Sequence, residues 1–124
     1  NKNEDIFING DGETSRDFCY IENTVQANIL AALSEERGLN QVYNVALGDR
    51  TTLNDLFASI KSSLDDNGVF YNRSPIYKDF RDGDVRHSQA DISKIKSLLG
   101  YYPTHKIQEG INLAMPWYVK NLKR

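Results

Sequence analysis

The sequence predicts one α/β domain, and three observations carry that prediction. Apolar residues recur at helical spacing in four separate stretches, short β-rich runs lie between them, and glycine or a capping residue marks nearly every junction. With 124 residues, 40% of them apolar, the chain suits a single core spanning 1–124 and leaves little room for a second. It opens "NKNEDIFING", without an initiator Met and already heading into a strand, so it reads as a piece cut from something longer.

The elements come in chain order. "DIFINGDGETSRDFCYI" has two apolar runs around a Gly-Asp-Gly turn and predicts a β-hairpin with strands near 5–9 and 14–21. Asn23 is placed to cap the next helix, with Gln26 three positions on, and Val25, Ile29, Ala32 and Leu33 then recur at helical spacing until Gly38. "QVYNVAL" (41–47) is a nearly continuous apolar strand, a pattern that implies burial on both faces. Thr51 or Thr52 caps a second helix with Leu53, Leu56, Phe57, Ile60 and Leu64 on one side. "DNGVFYNRSP" is loop, and "IYKDF" is a short strand that ends at the Asp82-Gly83 turn. Asp91 caps a short helix carrying Ile92, Ile95, Leu98 and Leu99, which Gly100 closes. Thr104 opens a last helix with Ile107, Ile111, Ala114, Tyr118 and Leu122 on one face, kinked at Pro116, whose ring opposes the carbonyl of Asn112.

Composition limits function. The formal net charge is -2 and the pI about 5.6, so no global basic field exists to hold nucleic acid or an anionic membrane, and any anion site must be local. Cys19 is the only cysteine. It has no disulfide or metal-ligand partner in the sequence, which reads as a small packing residue in a reducing compartment. His87 and His105 lack ligand spacing, and no metal site is expected. No apolar run approaches the ~18 residues of a membrane span and no signal peptide is apparent, so a cytoplasmic location is expected.

Two motif-like stretches lose their catalytic reading on inspection. "GDGETS" (10–15) has the shape of a phosphate-binding glycine turn, but the next residues, "RDFCYI", are β-rich, so no helix N-terminus points at the glycines. Tyr102 and Lys106 have the four-residue spacing of a proton-abstracting pair on one helical face, but Pro103 pushes Tyr102 out of the helical region.

The arginines say more. Arg16, Phe18 and Tyr20 share one face of a strand pattern, where an arginine is either a snorkelling side chain or a ligand contact. Arg50 lies beyond the carboxyl end of the 41–47 strand, where open α/β sheets bind ligands, unless it is a surface charge at the helix entry. Arg81 precedes the "DGD" turn, so Arg81 and Asp84 can point into one space. Two guanidinium groups from different segments suit a diphosphate, because each matches phosphate oxygens in a bidentate manner.

"GDGETSRDFCYIEN", "YNVALGDRT", "FRDGDVRHSQADISK" and "LLGYYPTHKIQEG" with "AMPWYV" together closely resemble the C-terminal part of the bacterial UDP-N-acetylglucosamine 4-epimerases, members of the extended short-chain dehydrogenase/reductase family. The resemblance spans essentially the whole chain. "RDF" with "YI" and "LLGY" specify only the wider group of nucleotide-sugar epimerases, dehydratases and reductases, whereas "GDVRHSQADISK" with "SRDFCYIEN" is narrower. It implies the C-terminal substrate-binding part of a Rossmann-type fold, a hairpin plus short strands packed with about four helices. It further implies that NAD sits on a separate N-terminal Rossmann domain and takes a hydride from C4 of the sugar, while a tyrosine of a Tyr-x-x-x-Lys motif removes the hydroxyl proton. The 4-keto sugar then turns and receives the hydride on its other face.

On this resemblance the chain carries half of a substrate site and no catalytic base, and clamps UDP while the sugar turns. Arg16 and Arg81 match the two diphosphate-binding arginines, Asp84 matches an acid near the ribose hydroxyls, and Ser88 falls where a small residue leaves room for an N-acetyl group. Arg50 completes the candidate substrate contacts. The expected partners are a UDP-N-acetylhexosamine and the chain's own Rossmann domain, in a parent dimer serving O-antigen or capsular polysaccharide synthesis; alone, the chain is expected to be monomeric. Another nucleotide-sugar enzyme, such as a dehydratase or uronic acid 4-epimerase, and a non-catalytic binding module remain the alternatives.

Overall fold

The computed structural model describes residues 4–121. Its elements are β1 (Phe7–Asn9), β2 (Ser15–Arg16), α1 (Ile21–Ala32), β3 (Thr51–Thr52), α2 (Leu53–Asp66), β4 (Ile76–Lys78), α3 (Ser93–Leu99) and α4 (Ile107–Asn121), with a single 3₁₀ turn over Glu36–Gly38. The α/β class and the four helices match the sequence expectation. The strand pairing does not.

The hairpin is replaced by two separate two-stranded sheets. β1 pairs parallel with β4, Ile8 opposite Tyr77, and β2 pairs antiparallel with β3, Ser15 opposite Thr52. The glycine turn is real, with Gly10 and Gly12 both at φ 80. Its two arms, however, are claimed by different partners: Gly10 N–H donates to the Lys78 carbonyl at 2.8 Å, while Leu53 and Asn54 donate to the carbonyls of Thr14 and Gly12 at 3.0 and 3.1 Å. Backbone groups two residues apart thus satisfy themselves against segments far along the chain, which short-range turn chemistry does not reveal.

α1 also departs from expectation. Tyr20 stands at its N-cap without a side-chain bond, and Asn23 is inside the helix and fully buried. Its amide donates to the His105 carbonyl at 2.8 Å, and its Oδ1 accepts from the backbone N–H groups of Thr104 and His105 at 2.9 and 3.1 Å. Asn23 is therefore a tie from α1 to the entry of α4 and no cap. The helix ends at Ala32, six residues before Gly38. Its apolar row faces outward: Ile21, Val25, Ile29 and Leu33 are exposed, and the residues α1 buries are Asn23 and Ala27.

Residues 41–47 form no ladder, and the predicted strand is an irregular segment that buries Ala46 and leaves Val42 in solvent. Its inner side chains join the core of Ala27, Ala46, Ile92, Ile95, Leu99 and Tyr101, with Leu30, Tyr43 and Val45 packed on it. The Tyr101 hydroxyl donates to the Ala46 carbonyl at 2.9 Å and so satisfies a buried acceptor. Burial, and after it Cys19 and Asp17 close by, push the Tyr101 phenol above its usual range.

α2 and α3 obey their signals. Thr52 caps α2 by accepting from Asp55 N–H at 3.0 Å. Asp91 accepts from Ser93 N–H at 2.8 Å, the Ser93 side chain and then this N–H hold its carboxyl below the ordinary value, and Gly100 closes α3 in the left-handed conformation at φ 67. α4 starts later than the Thr104 signal: Glu109 reaches back to Lys106 N–H at 2.8 Å, and Thr104 is turned toward Asn23 and His105. The helix is continuous through Pro116, and its expected contact Leu122 lies outside the described residues. α2 packs against α4, and α3 against α1. Among the described residues no helix is long and apolar enough to cross a membrane.

Candidate functional site

Antiparallel pairing with β3 fixes Arg16 at the end of β2, and the same strand hangs the N-terminus of α2 beside it through the Thr14 and Gly12 carbonyls. Next to this point lies a cavity of about 650 Å³. β1 lines it with Ile6, Phe7 and Ile8, α2 with Leu53, Leu56, Phe57, Ile60 and Leu64, and Tyr71 closes it behind Phe57 at a ring separation of 6.3 Å. The α2 stripe predicted as core thus forms an apolar wall that stays part-exposed.

Arg16, Arg81 and Asp84 line this same cavity. Arg81 and Asp84 reach it from the turn after β4, where Asp84 N–H donates to the Arg81 carbonyl at 3.2 Å and Gly83 takes φ 75. Arg16 Nη1 donates to the Ser15 carbonyl at 2.9 Å and Nη2 to Asp84 Oδ1 at 2.5 Å. Arg81 has no ion-pair partner among the described residues, so it is a free cation beside an apolar wall.

Ser88 lies on the other side of Arg16. Ser15 and residues 86–88 form an isolated bridge, with Ser15 N–H donating to the Arg86 carbonyl at 2.9 Å and Ser88 N–H to the Ser15 carbonyl at 3.1 Å. A shallower depression there is lined by Arg16, Asp17, Asn44, Val45, Ser88 and Gln89 among others. Arg16 borders both spaces and connects them. Arg50 borders neither; it is exposed beyond Asp49, whose carboxylate accepts its backbone N–H at 2.7 Å.

Two supporting residues escaped the sequence reading. Asp17 accepts from the backbone N–H groups of Leu47, Gly48 and Ala90 at 3.0, 2.9 and 3.3 Å, so one carboxylate ties β2 to both segments that wall the Ser88 depression. The available signal was an acid on the strand face opposite Arg16, beside a hydrophobic run. Asp11 takes a bidentate pair from Arg86 at 2.9 and 2.6 Å, which holds its carboxyl below the usual range and anchors the chain just after the 81–84 turn. Tyr102 and Lys106 sit in the irregular stretch between α3 and α4, on no common helical face. Among the described residues no group of three or more His, Cys, Asp or Glu side chains is placed to hold a metal.

Two cations at the edge of an apolar, aromatic-containing cavity suit a ligand with both a phosphate group and a flat ring. Residues 1–114 match the family model described as GDP-mannose 4,6 dehydratase. A UDP-glucose 4-epimerase from Thermotoga maritima, solved with UDP-glucose, is 37% identical with a TM-score of 0.84 over 98% of this chain and 37% of that one. A UDP-N-acetylglucosamine 4-epimerase from Methanobrevibacter ruminantium, solved with UDP-N-acetylmuramic acid, is 38% identical with a TM-score of 0.81 over 95% and 36%. A UDP-glucuronic acid 4-epimerase from Bacillus cereus, solved with UDP-glucuronic acid and NAD, is 27% identical with a TM-score of 0.73 over 98% and 37%. The chain therefore spans a little over a third of the length of the proteins it resembles, and its fold is that of the extended short-chain dehydrogenase/reductase epimerases.

Proposed function

Because this chain belongs to the GDP-mannose 4,6 dehydratase family, whose members among its relatives act on nucleotide sugars, we propose that it is the C-terminal UDP-sugar-binding part of a UDP-N-acetylglucosamine/UDP-N-acetylgalactosamine 4-epimerase. The observation that carries this reading is the convergence of Arg16 and Arg81, 65 positions apart in the sequence, on one apolar cavity. In this reading the two guanidinium groups hold the diphosphate, the wall of β1 and α2 takes the flat base, and Asp84 lies near the ribose hydroxyls. Ser88, across Arg16 from the cavity, borders the sugar and leaves room for a 2-acetamido group. Arg50 is at most a peripheral contact.

NAD does not fit the residues described. Gly10 lies against the Phe80 ring and Gly12 against the Asn54 side chain, and the turn leads into β2 instead of a helix N-terminus. Cofactor, catalytic tyrosine and lysine are accordingly assigned to a preceding Rossmann domain, which is also the proposed partner. The chain's own contribution is to bind and orient the nucleotide. A uronic acid 4-epimerase is the second reading, favoured by the likeness to the Bacillus cereus enzyme.

The test is titration of UDP into the complete gene product, with product chromatography for conversion of UDP-N-acetylglucosamine to its C4 epimer. Arg16→Ala and Arg81→Ala are each expected to weaken UDP binding by ~2 to 5 kcal/mol, and the lysine variants to be impaired as well because the bidentate fork is lost. Parent-like affinity in both alanine variants would remove the clamp.

A further inference from the structure

Arg16, assigned above to the diphosphate, is not free: its Nη2 already donates to Asp84 at 2.5 Å. We propose that Asp84 is an internal anion that pairs with the Arg16 guanidinium until an incoming diphosphate displaces it. This inference rests on the nucleotide-binding reading.

Three observations support an exchange over a permanent pair. First, the side chains of Arg16 and Asp84 remain 31% and 38% exposed. A pair that wet is weak, because water competes for both partners, whereas a diphosphate offers more charge and more acceptors to the same fork. Second, Arg16 keeps its Nη1 bond to the Ser15 carbonyl whatever Asp84 does, so the guanidinium stays oriented after the carboxylate leaves. Third, the segment carrying Asp84 has open space between its tethered ends. Phe80 lies against Gly10 on one side and Arg86 is bound by Asp11 on the other, while between them Gly83 has nothing within 4 Å of where a Cβ would stand.

Pyrophosphate isolates the exchange, because it lacks the ribose that Asp84 is assigned to contact. In the complete gene product, Asp84→Asn is expected to tighten inorganic pyrophosphate binding about fivefold by calorimetry, the competitor for Arg16 having been weakened. Asp84→Ser should move it the same way. Asp82→Asn removes the same charge from the same turn without touching Arg16 and should change affinity by less than about twofold. In an Arg16→Ala background Asp84→Asn should have no effect beyond that of Asp82→Asn. If the parent protein binds neither UDP nor pyrophosphate, the nucleotide reading falls and this inference with it. If the parent binds both, but Asp84→Asn leaves pyrophosphate affinity unchanged or weaker, or Asp82→Asn matches it, the displacement alone is overturned.

Discussion

The backbone N–H of Ser88 donates to the Ser15 carbonyl at 3.1 Å while its side chain stays exposed beside Arg16. A larger side chain at this position therefore grows into the depression without breaking the bond that holds the segment. Ser88→Tyr in the complete gene product should obstruct a 2-acetamido sugar while still admitting UDP-glucose. Overpacking a fitted site costs ~1 to 3 kcal/mol, so the ratio of the two specificity constants should shift by about tenfold or more. An unchanged ratio in a correctly folded variant would remove Ser88 from the sugar pocket. At this scale the sequence singled out Arg16, Arg81 and Asp84 as charges at turn and strand positions, and the fold brings all three to one cavity. Asp17 was not readable. Its partners are backbone N–H groups 30, 31 and 73 positions away, which carry no side-chain signature.

Among the elements, α2 and α3 were legible because their caps are local: Thr52 with Asp55, Asp91 with Ser93, and Gly100 in the left-handed conformation. The strands were not, since a two- or three-residue strand is defined by its partner, and those partners lie elsewhere in the chain. α1 shows both cases. Its periodicity marked the helix correctly, yet the buried side was that of Asn23 and Ala27 instead of the apolar row. Asn23 was mistaken for a cap because asparagine prefers caps; here its amide joins two elements. Asn23→Ala should therefore act on the α1–α4 junction. It leaves the Thr104 and His105 N–H groups and the His105 carbonyl without their partner, and unsatisfied part-buried groups of this kind cost on the order of 3 kcal/mol in sum. Urea unfolding measures the loss, and a stability within ~0.5 kcal/mol of the parent would show that these bonds are replaced by water at no cost.

The whole molecule exposes 8563 Å² for a mass of 14.1 kDa, against about 6,700 Å² for a folded monomeric domain of that size. The excess has an identifiable source in apolar groups such as Leu33, Val42, Trp117 and Phe70, which are 78%, 86%, 63% and 68% exposed. Sequence periodicity placed Leu33 in a helical row and Val42 in a buried strand, and their hydrophobicity is real. What periodicity lacks is any statement of which body supplies the other half of the contact. Residues 41–47 carry the same ambiguity, being apolar enough for a central strand but without a ladder to join. We propose that the partner Rossmann domain covers the α1 row and this segment. The isolated chain should then bind a hydrophobic dye in its native state and melt at a lower temperature than the same residues within the complete gene product. Polar replacement of an exposed position separates this account from ordinary instability. Ile29→Lys should change the stability of the isolated chain by less than ~0.5 kcal/mol, because that side chain already faces water, but should destabilise the complete protein by ~2 kcal/mol or more through an unpaired charge in the interface. Ile95→Ala, in the shared core at 1% exposure, should cost ~2 to 5 kcal/mol in both settings. A large loss for Ile29→Lys in the isolated chain would mean that α1 packs its apolar row within these residues and that no covering body is needed to account for it.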